Sequence, residues 1–265
     1  MSLPSSKANK PSMLNMVREG RAVFELGLST LMMPALLRSP RGDGHPVMVL
    51  PGFLASDFST RPLRAYLKLK GYKAVGWGLG RNLGTHIVGG KRVVSDTLIE
   101  QVIQLSLKHN SKVSLVGWSL GGILAREIAR AAPEYVRQVI TLGSPFNGVR
   151  GQAPVASKIF ELINGDLHSK EPETVARTFN PPPVPSTAIF SRSDGIAHWK
   201  ACANDPHHLG HQTENIEVNG SHIGLGHNAQ VLWVIADRLA QAEGHWQPFL
   251  RKGLNQALFA DPHRA

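Results

Sequence analysis

The chain has 265 residues, 42% of them hydrophobic and 18% charged, which is the composition of a soluble globular protein long enough to bury a sizeable core. Its one cysteine, Cys202, excludes an intrachain disulfide and fits a reducing compartment such as the cytoplasm. The formal net charge of +10 comes from scattered lysines and arginines. No basic run with interleaved aromatics is present, so the charge points to an anionic surface or plain solvation and not to nucleic acid.

Residues 1–44 read as an extension ahead of the main domain. "MSLPSSKANKPSML" is polar and has neither the apolar core nor the cleavage site of a signal peptide. Met13–Leu37 is more apolar, but Arg18, Glu19, Arg21 and Glu25 interrupt it, which is too much charge for a membrane span. The spacing predicts an amphipathic helix broken near Pro34. Such a helix either packs on the domain or makes peripheral contact with a membrane surface or a partner.

Residues 45–265 alternate short β-branched runs with helical patterns. "PVMVL" (46–50) is a strand closed by Pro51-Gly52, and "STRPLRAYLKLKG" is a helix ending at Gly71. "YKAVGW" is a second strand, followed by the glycine-rich loop "GLGRNLGTH" and the helical "KRVVSDTLIEQVIQLSLKH". "KVSLVG" is a third strand, "LGGILAREIARAAPE" a helix, and "VRQVITLGSP" a fourth strand. Residues 146–185 break the rhythm and end in "NPPPVP", through which no strand can run. This stretch reads as a small lid or cap, or as a long connection over one sheet edge. "STAIFSRSDG" and "ENIEVNGSH" supply two more strands, and "HNAQVLWVIADRLAQ" a closing helix. The pattern predicts an α/β fold with a mostly parallel sheet of about six strands and helices on both faces.

"LVGWSLGG" places Ser119 between two glycines, after an apolar strand and before a helix. A strand–turn–helix of this kind holds a serine hydroxyl at the tip of a tight turn, with a helix N-terminus behind it. A serine nucleophile needs a base, and the base needs an orienting acid. In this chain order the acid ends a late strand and the histidine follows the last one. Asp194 in "TAIFSRSDG" meets the first demand better than Asp205, which no strand precedes, or Asp166, which comes too early. His222, directly after "IEVNGS", meets the second. Its rival His227 falls at the start of the closing helix, where capping or packing suits it. His207, His208 and His211 lack an accompanying carboxylate at useful spacing, so no metal site is assigned. Cys202 reads as a packing residue.

The second oxyanion donor falls in the loop after the first strand, where Gly52 lets the backbone approach and the Phe53 amide can face the substrate. The amide of Leu120 is the other donor. Phe53, Trp118 and Trp199 are candidates for the acyl-binding wall.

"VMVLPGF", "SLVGWSLGG", "ITLGSPFNG", "SRSDGIAHW" and "NGSHIGLGHN" together resemble the α/β-hydrolase superfamily, in particular its lipases and esterases. The likeness runs from His45 to about Gln241. It departs from part of the superfamily in lacking a His-Gly-Gly-Gly stretch, and in starting its sheet at Val47 without an antiparallel hairpin. The resemblance implies a serine hydrolase that cleaves carboxylic esters of small molecules or lipids through an acyl-enzyme, with no cofactor. An acyltransferase using the same acyl-enzyme, and a non-catalytic binding protein of the same fold, are the alternatives.

Overall fold

Strand β1 (Pro46–Leu50) is buried at every position, and its side chains divide between two cores. Val47 and Val49 enter one apolar cluster, Met48 and Leu50 the other, as the two-residue period of a strand covered on both faces requires. The computed structural model describes residues 13–86, 94–147, 180–209 and 212–262.

Within these residues β1 is joined by β2 (Lys73–Gly76), β3 (Val113–Trp118), β4 (Val136–Leu142), β5 (Ser186–Phe190) and β6 (Thr213–Glu217). They form a six-stranded sheet in the order β2-β1-β3-β4-β5-β6. Every pairing is parallel, with Leu50 opposite Gly117 and Trp118 opposite Leu142. The helix Arg61–Leu69, the helix Ala229–Leu239 and Leu36 of the extension cover one face. The helices Asp96–His109 and Leu120–Ala131 cover the other. The expected strands are all present, and their ends lie within a few residues of the sequence reading.

The chain adds β2 on one side of β1 and then crosses back to add β3 on the other. The order therefore reverses between β1 and β3. In an open parallel sheet, the connections leaving the carboxyl ends of two such strands diverge and leave a crevice between them. Pro51–Phe53 and Ser119 are the residues that leave β1 and β3 there.

Two details differ from the sequence reading. The extension is broken near Pro34, as expected, but in one further place as well. It comprises helices Met13–Val17, Ala22–Leu31 and Met33–Leu36, with a 3-10 turn at Arg18–Arg21 and the break at Met32. Pro34 lies in the first turn of the last segment, where its missing N–H has no intrahelical partner to lose. His227 also lies outside the closing helix, which starts at Ala229 behind an Asn228 side chain that accepts from the amides of Gln230 and Val231. The expected lid falls mostly on 148–179, outside the described residues.

Candidate active site

β3 ends at Trp118 and the next helix begins at Leu120, so Ser119 makes the whole turn alone. It does so at φ 54° and ψ −121°, a region that costs a non-glycine residue roughly 1–3 kcal/mol. The surroundings hold it there. Its amide donates to Leu142 O at 2.8 Å, and its carbonyl accepts from Gly122 N at 3.0 Å. The flanking glycines allow the close approach: a Cβ on Gly117 would strike the backbone of Gly121 and Gly122, and one on Gly121 would strike that of Leu50 and Pro51. The helix behind is buried from Leu120 through Ala129. Its first amides have no intrahelical acceptor and face the turn.

The loop after β1 passes directly over this serine. A Cβ placed on Gly52 would lie 3.2 Å from Ser119 Cβ and 3.4 Å from Trp118 O. Asn82, fully buried, fastens this loop: its Nδ2 donates to Pro51 O at 2.8 Å, its carbonyl accepts from Leu54 N at 2.7 Å, and its amide donates to Ala55 O at 2.7 Å. Asp57 ties the far end to β2 by accepting from Trp77 N and Gly78 N, each at 3.0 Å. With the Leu54 and Ala55 amides committed to Asn82 and Gly52, the Phe53 amide has no protein acceptor among the described residues.

Asp194 and His222 leave the same carboxyl edge, after β5 and β6. Asp194 Oδ1 accepts from the amides of Ile196 at 2.8 Å and Ala197 at 2.7 Å. Its Oδ2 lies 2.7 Å from His222 Nδ1. A carboxylate only accepts, so the imidazole proton sits on Nδ1 and Nε2 carries the free lone pair. The backbone of His222 is held at both ends: its carbonyl accepts from Trp118 Nε1 at 3.0 Å, and its amide donates to Glu19 Oε1 at 2.9 Å. Burial disfavours the imidazolium, but the charge and hydrogen bond of Asp194, with the charge of Glu19, outweigh it and push the His222 pKa up.

The remaining candidates lie elsewhere. Trp199 stacks on Phe190 with ring centroids 5.6 Å apart and carries the Arg192 guanidinium 4.1 Å from its own centroid, on the Asp194 side. Cys202 is buried in the same small cluster, and burial, with the Asp194 charge, drives its thiol pKa far up, which disfavours a thiolate. His227 Nε2 lies 2.9 Å from Ala22 O and so anchors the extension. His207 and His208 form a short turn capped by Asp205, and His211 lies outside the described residues.

An Asp–His–Ser chain sits at the opposite end of β1. His45 Nδ1 is 2.5 Å from Asp43 Oδ1, and His45 Nε2 is 2.8 Å from Ser114 Oγ. Ser114 is fully buried inside regular strand, with no helix N-terminus behind it. Burial pushes the His45 pKa down against the opposing Asp43 bond, and Arg137 lies 3.1 Å from its Nδ1. This chain fastens the start of the sheet and has no open face for a substrate. A cavity of about 450 Å3 along the outer edge of β6, lined by Trp246, Phe249 and Arg251, likewise includes none of Ser119, Asp194 and His222.

Residues 90–180, about a third of the chain, match the palmitoyl protein thioesterase family. A pimeloyl-[acyl-carrier protein] methyl ester esterase of Aliivibrio salmonicida is 25% identical over 152 residues, or 55% of this chain. The match spans 54% of that protein, about half its length. Among solved structures, lipase B of Aspergillus fumigatus is similar at a TM-score of 0.58 and 16% identity, over 76% of this chain and 54% of that one. A mature Bacillus licheniformis lipase is similar at a TM-score of 0.52 and 16% identity, over 75% and 92%. With the six-stranded parallel sheet, these likenesses identify the fold as that of the α/β hydrolases.

Proposed function

We propose that this α/β hydrolase cleaves acyl esters or thioesters through a Ser119 acyl-enzyme. The observation that carries the proposal is the convergence of a strained Ser119 turn and a buried Asp194–His222 pair on one sheet edge. His222 Nε2 takes the Ser119 proton as Oγ attacks the acyl carbon, and returns it to the leaving alcohol or thiol. Asp194 keeps the proton on Nδ1 and steadies the imidazolium. The Phe53 and Leu120 amides receive the developing oxyanion, with the helix dipole behind Leu120. Water, activated by the same imidazole, then releases the acid. The side chains of Phe53 and Trp118, both partly exposed at this edge, are the proposed acyl contacts, and Trp199 supports the Asp194 turn.

Turnover of p-nitrophenyl esters and acyl thioesters of increasing chain length tests the assignment. Hydrolysis that disappears in Ser119→Ala supports it, and full hydrolysis by that variant rejects it. Adding an alcohol acceptor separates hydrolase from acyltransferase, because only the latter diverts most of the acyl group from water.

The extension supports a second reading, peripheral docking on anionic lipid. It turns its small and polar residues inward, Glu19, Ala22, Glu25 and Ser29 at helical spacing. Most of its large apolar side chains face out, Leu36 excepted: Val17, Val23, Phe24 and Leu31 are each more than 70% exposed. Glu19 and Glu25 are buried and the exposed Asp43 is paired with Arg137, while Arg18, Arg38 and Arg41 are exposed. The outer face is therefore apolar and cationic, which complements an anionic bilayer surface. No helix among the described residues is long and apolar enough to cross a membrane. Sedimentation with phosphatidylserine vesicles that is lost in Val23→Asp/Phe24→Asp supports docking. Self-association in place of vesicle binding would assign the face to a second copy.

A further inference from the structure

Two carboxylates of the N-terminal extension, Glu19 and Glu25, end against the turns that carry Asp194 and His222. Glu19 is 7% exposed and Glu25 8%. Glu19 Oε1 accepts from Gly195 N at 2.7 Å and from His222 N at 2.9 Å, and its Oε2 accepts from Ile223 N at 3.0 Å. One side chain thus bridges the residue after Asp194 to His222 itself. Glu25 reinforces the second turn: Oε1 accepts from Ser221 N at 2.9 Å and Oε2 from Ser221 Oγ at 3.2 Å. Arg21 closes the circuit, donating to Glu25 Oε1 at 2.9 Å and to Ser193 O at 3.1 Å. The contact leaves no slack, because a Cβ on Gly195 would strike the backbone of Asn15 and one on Gly224 would strike the Glu25 carboxylate.

We propose that Glu19 is a positioning residue of the active site, setting the spacing between the Asp194 and His222 turns and placing a fixed negative charge beside the imidazole. Three amide donors on one buried carboxylate make charge-assisted bonds, which hold geometry more firmly than neutral ones. The two turns come from different strand ends and share no backbone connection shorter than β6. Ser193 Oγ donates to Gly220 O at 3.2 Å and Gly220 N to Ser191 Oγ at 3.3 Å, and the Glu19 bridge adds the link that joins the Gly195 and His222 amides themselves. It also adds to the Asp194 field that favours the charged form of His222.

Several groups face His222. Asp194 is at its Nδ1, Glu19 at its amide and the Trp118 indole at its carbonyl. Glu25 reaches the neighbouring Ser221 and is paired with Arg21, while His227 is turned away onto Ala22. Of these carboxylates, Glu25 has a cationic partner, whereas Glu19 is held by amides, so Glu19 exerts the less compensated field.

The proposal rests on the hydrolase reading for its effect on turnover but not for its effect on titration. The test is an NMR titration of the His222 imidazole in the full chain and in Glu19→Gln, together with kcat and KM for a p-nitrophenyl ester. Glutamine keeps the volume and removes the charge and one acceptor. The midpoint of His222 moves down in Glu19→Gln, and kcat falls roughly tenfold with KM nearly unchanged. Glu19→Asp, which keeps the charge but cannot span both turns, brings the midpoint back toward the native value while kcat stays low. An unchanged midpoint in Glu19→Gln, or a loss confined to KM, overturns the proposal. The titration needs no turnover, so a wild-type protein without esterase activity would reject the hydrolase reading while the midpoint still decides the role of Glu19.

Discussion

At the scale of residues, the buried Asp–His–Ser chain at Ser114 and the Asp194–His222 pair on the edge that carries Ser119 differ in their surroundings. Asp43–His45–Ser114 and Asp194–His222 have similar hydrogen-bond lengths, so distance does not distinguish them. Backbone and surroundings do. Ser114 lies within extended strand, whereas Ser119 occupies a costly positive-φ turn between a strand and a helix. Ser119→Ala should lower ester turnover about a thousandfold or more with the fold intact, read by kcat/KM and circular dichroism. The pH profile follows from the raised His222 pKa. The base acts in its neutral form, and a raised pKa keeps it protonated to higher pH, so turnover should rise with a midpoint above the ordinary 6.5. His222→Ala should abolish the titration with the activity, and His227→Ala should keep the profile. The reverse pattern would move the base to His227. The turn at Ser119 and the place of His222 after β6 were legible because their neighbours announce them: glycines around one, a strand end before the other. Glu19 was not, because nothing local in an apolar helix reveals which distant amides its carboxylate will meet.

At the scale of elements, the loops after β1, β3, β5 and β6 do the positioning, and each is fixed from outside itself. Asn82 holds the first, from a glycine-rich loop whose composition predicts a turn but not a clamp. Gly52→Ala would press a methyl against Ser119 Cβ at 3.2 Å and displace the Phe53 amide. Turnover should fall roughly ten- to a thousandfold, with KM much less affected. Asn82→Ala should act in the same direction, and an effect of either on KM alone would make the loop a binding element only. The strands were readable because burial on both faces leaves unbroken apolar runs such as "PVMVL", found as β1 over the same five residues. The extension was read less well. Its inward stripe is polar and its outward face apolar, so periodicity identified a helix but not which side packs. Removal of residues before Arg41 takes away Glu19 and Glu25 together. The truncated domain should lose most of its activity and melt several degrees lower, whereas a fully active truncated domain would show that the extension serves docking alone.

At the scale of the whole molecule, the reversal of strand order between β1 and β3 sets where the proposed chemistry would occur. It opens the carboxyl edge where Gly52 and Ser119 meet, and β5 and β6 deliver Asp194 and His222 to the same edge from the other side. The extension then crosses that edge, bonded to both turns and presenting apolar side chains outward. A lipid surface that engaged the outer face would act on the same segment that holds the Asp194 and His222 turns. The most direct test of the central assignment is labelling with a fluorophosphonate probe followed by peptide mapping, in the wild type, Ser119→Ala and Ser114→Ala. The probe should attach to Ser119 in the wild type and in Ser114→Ala and be absent from Ser119→Ala. Failure to label folded wild-type protein, or a label on any residue other than Ser119, would contradict the assignment.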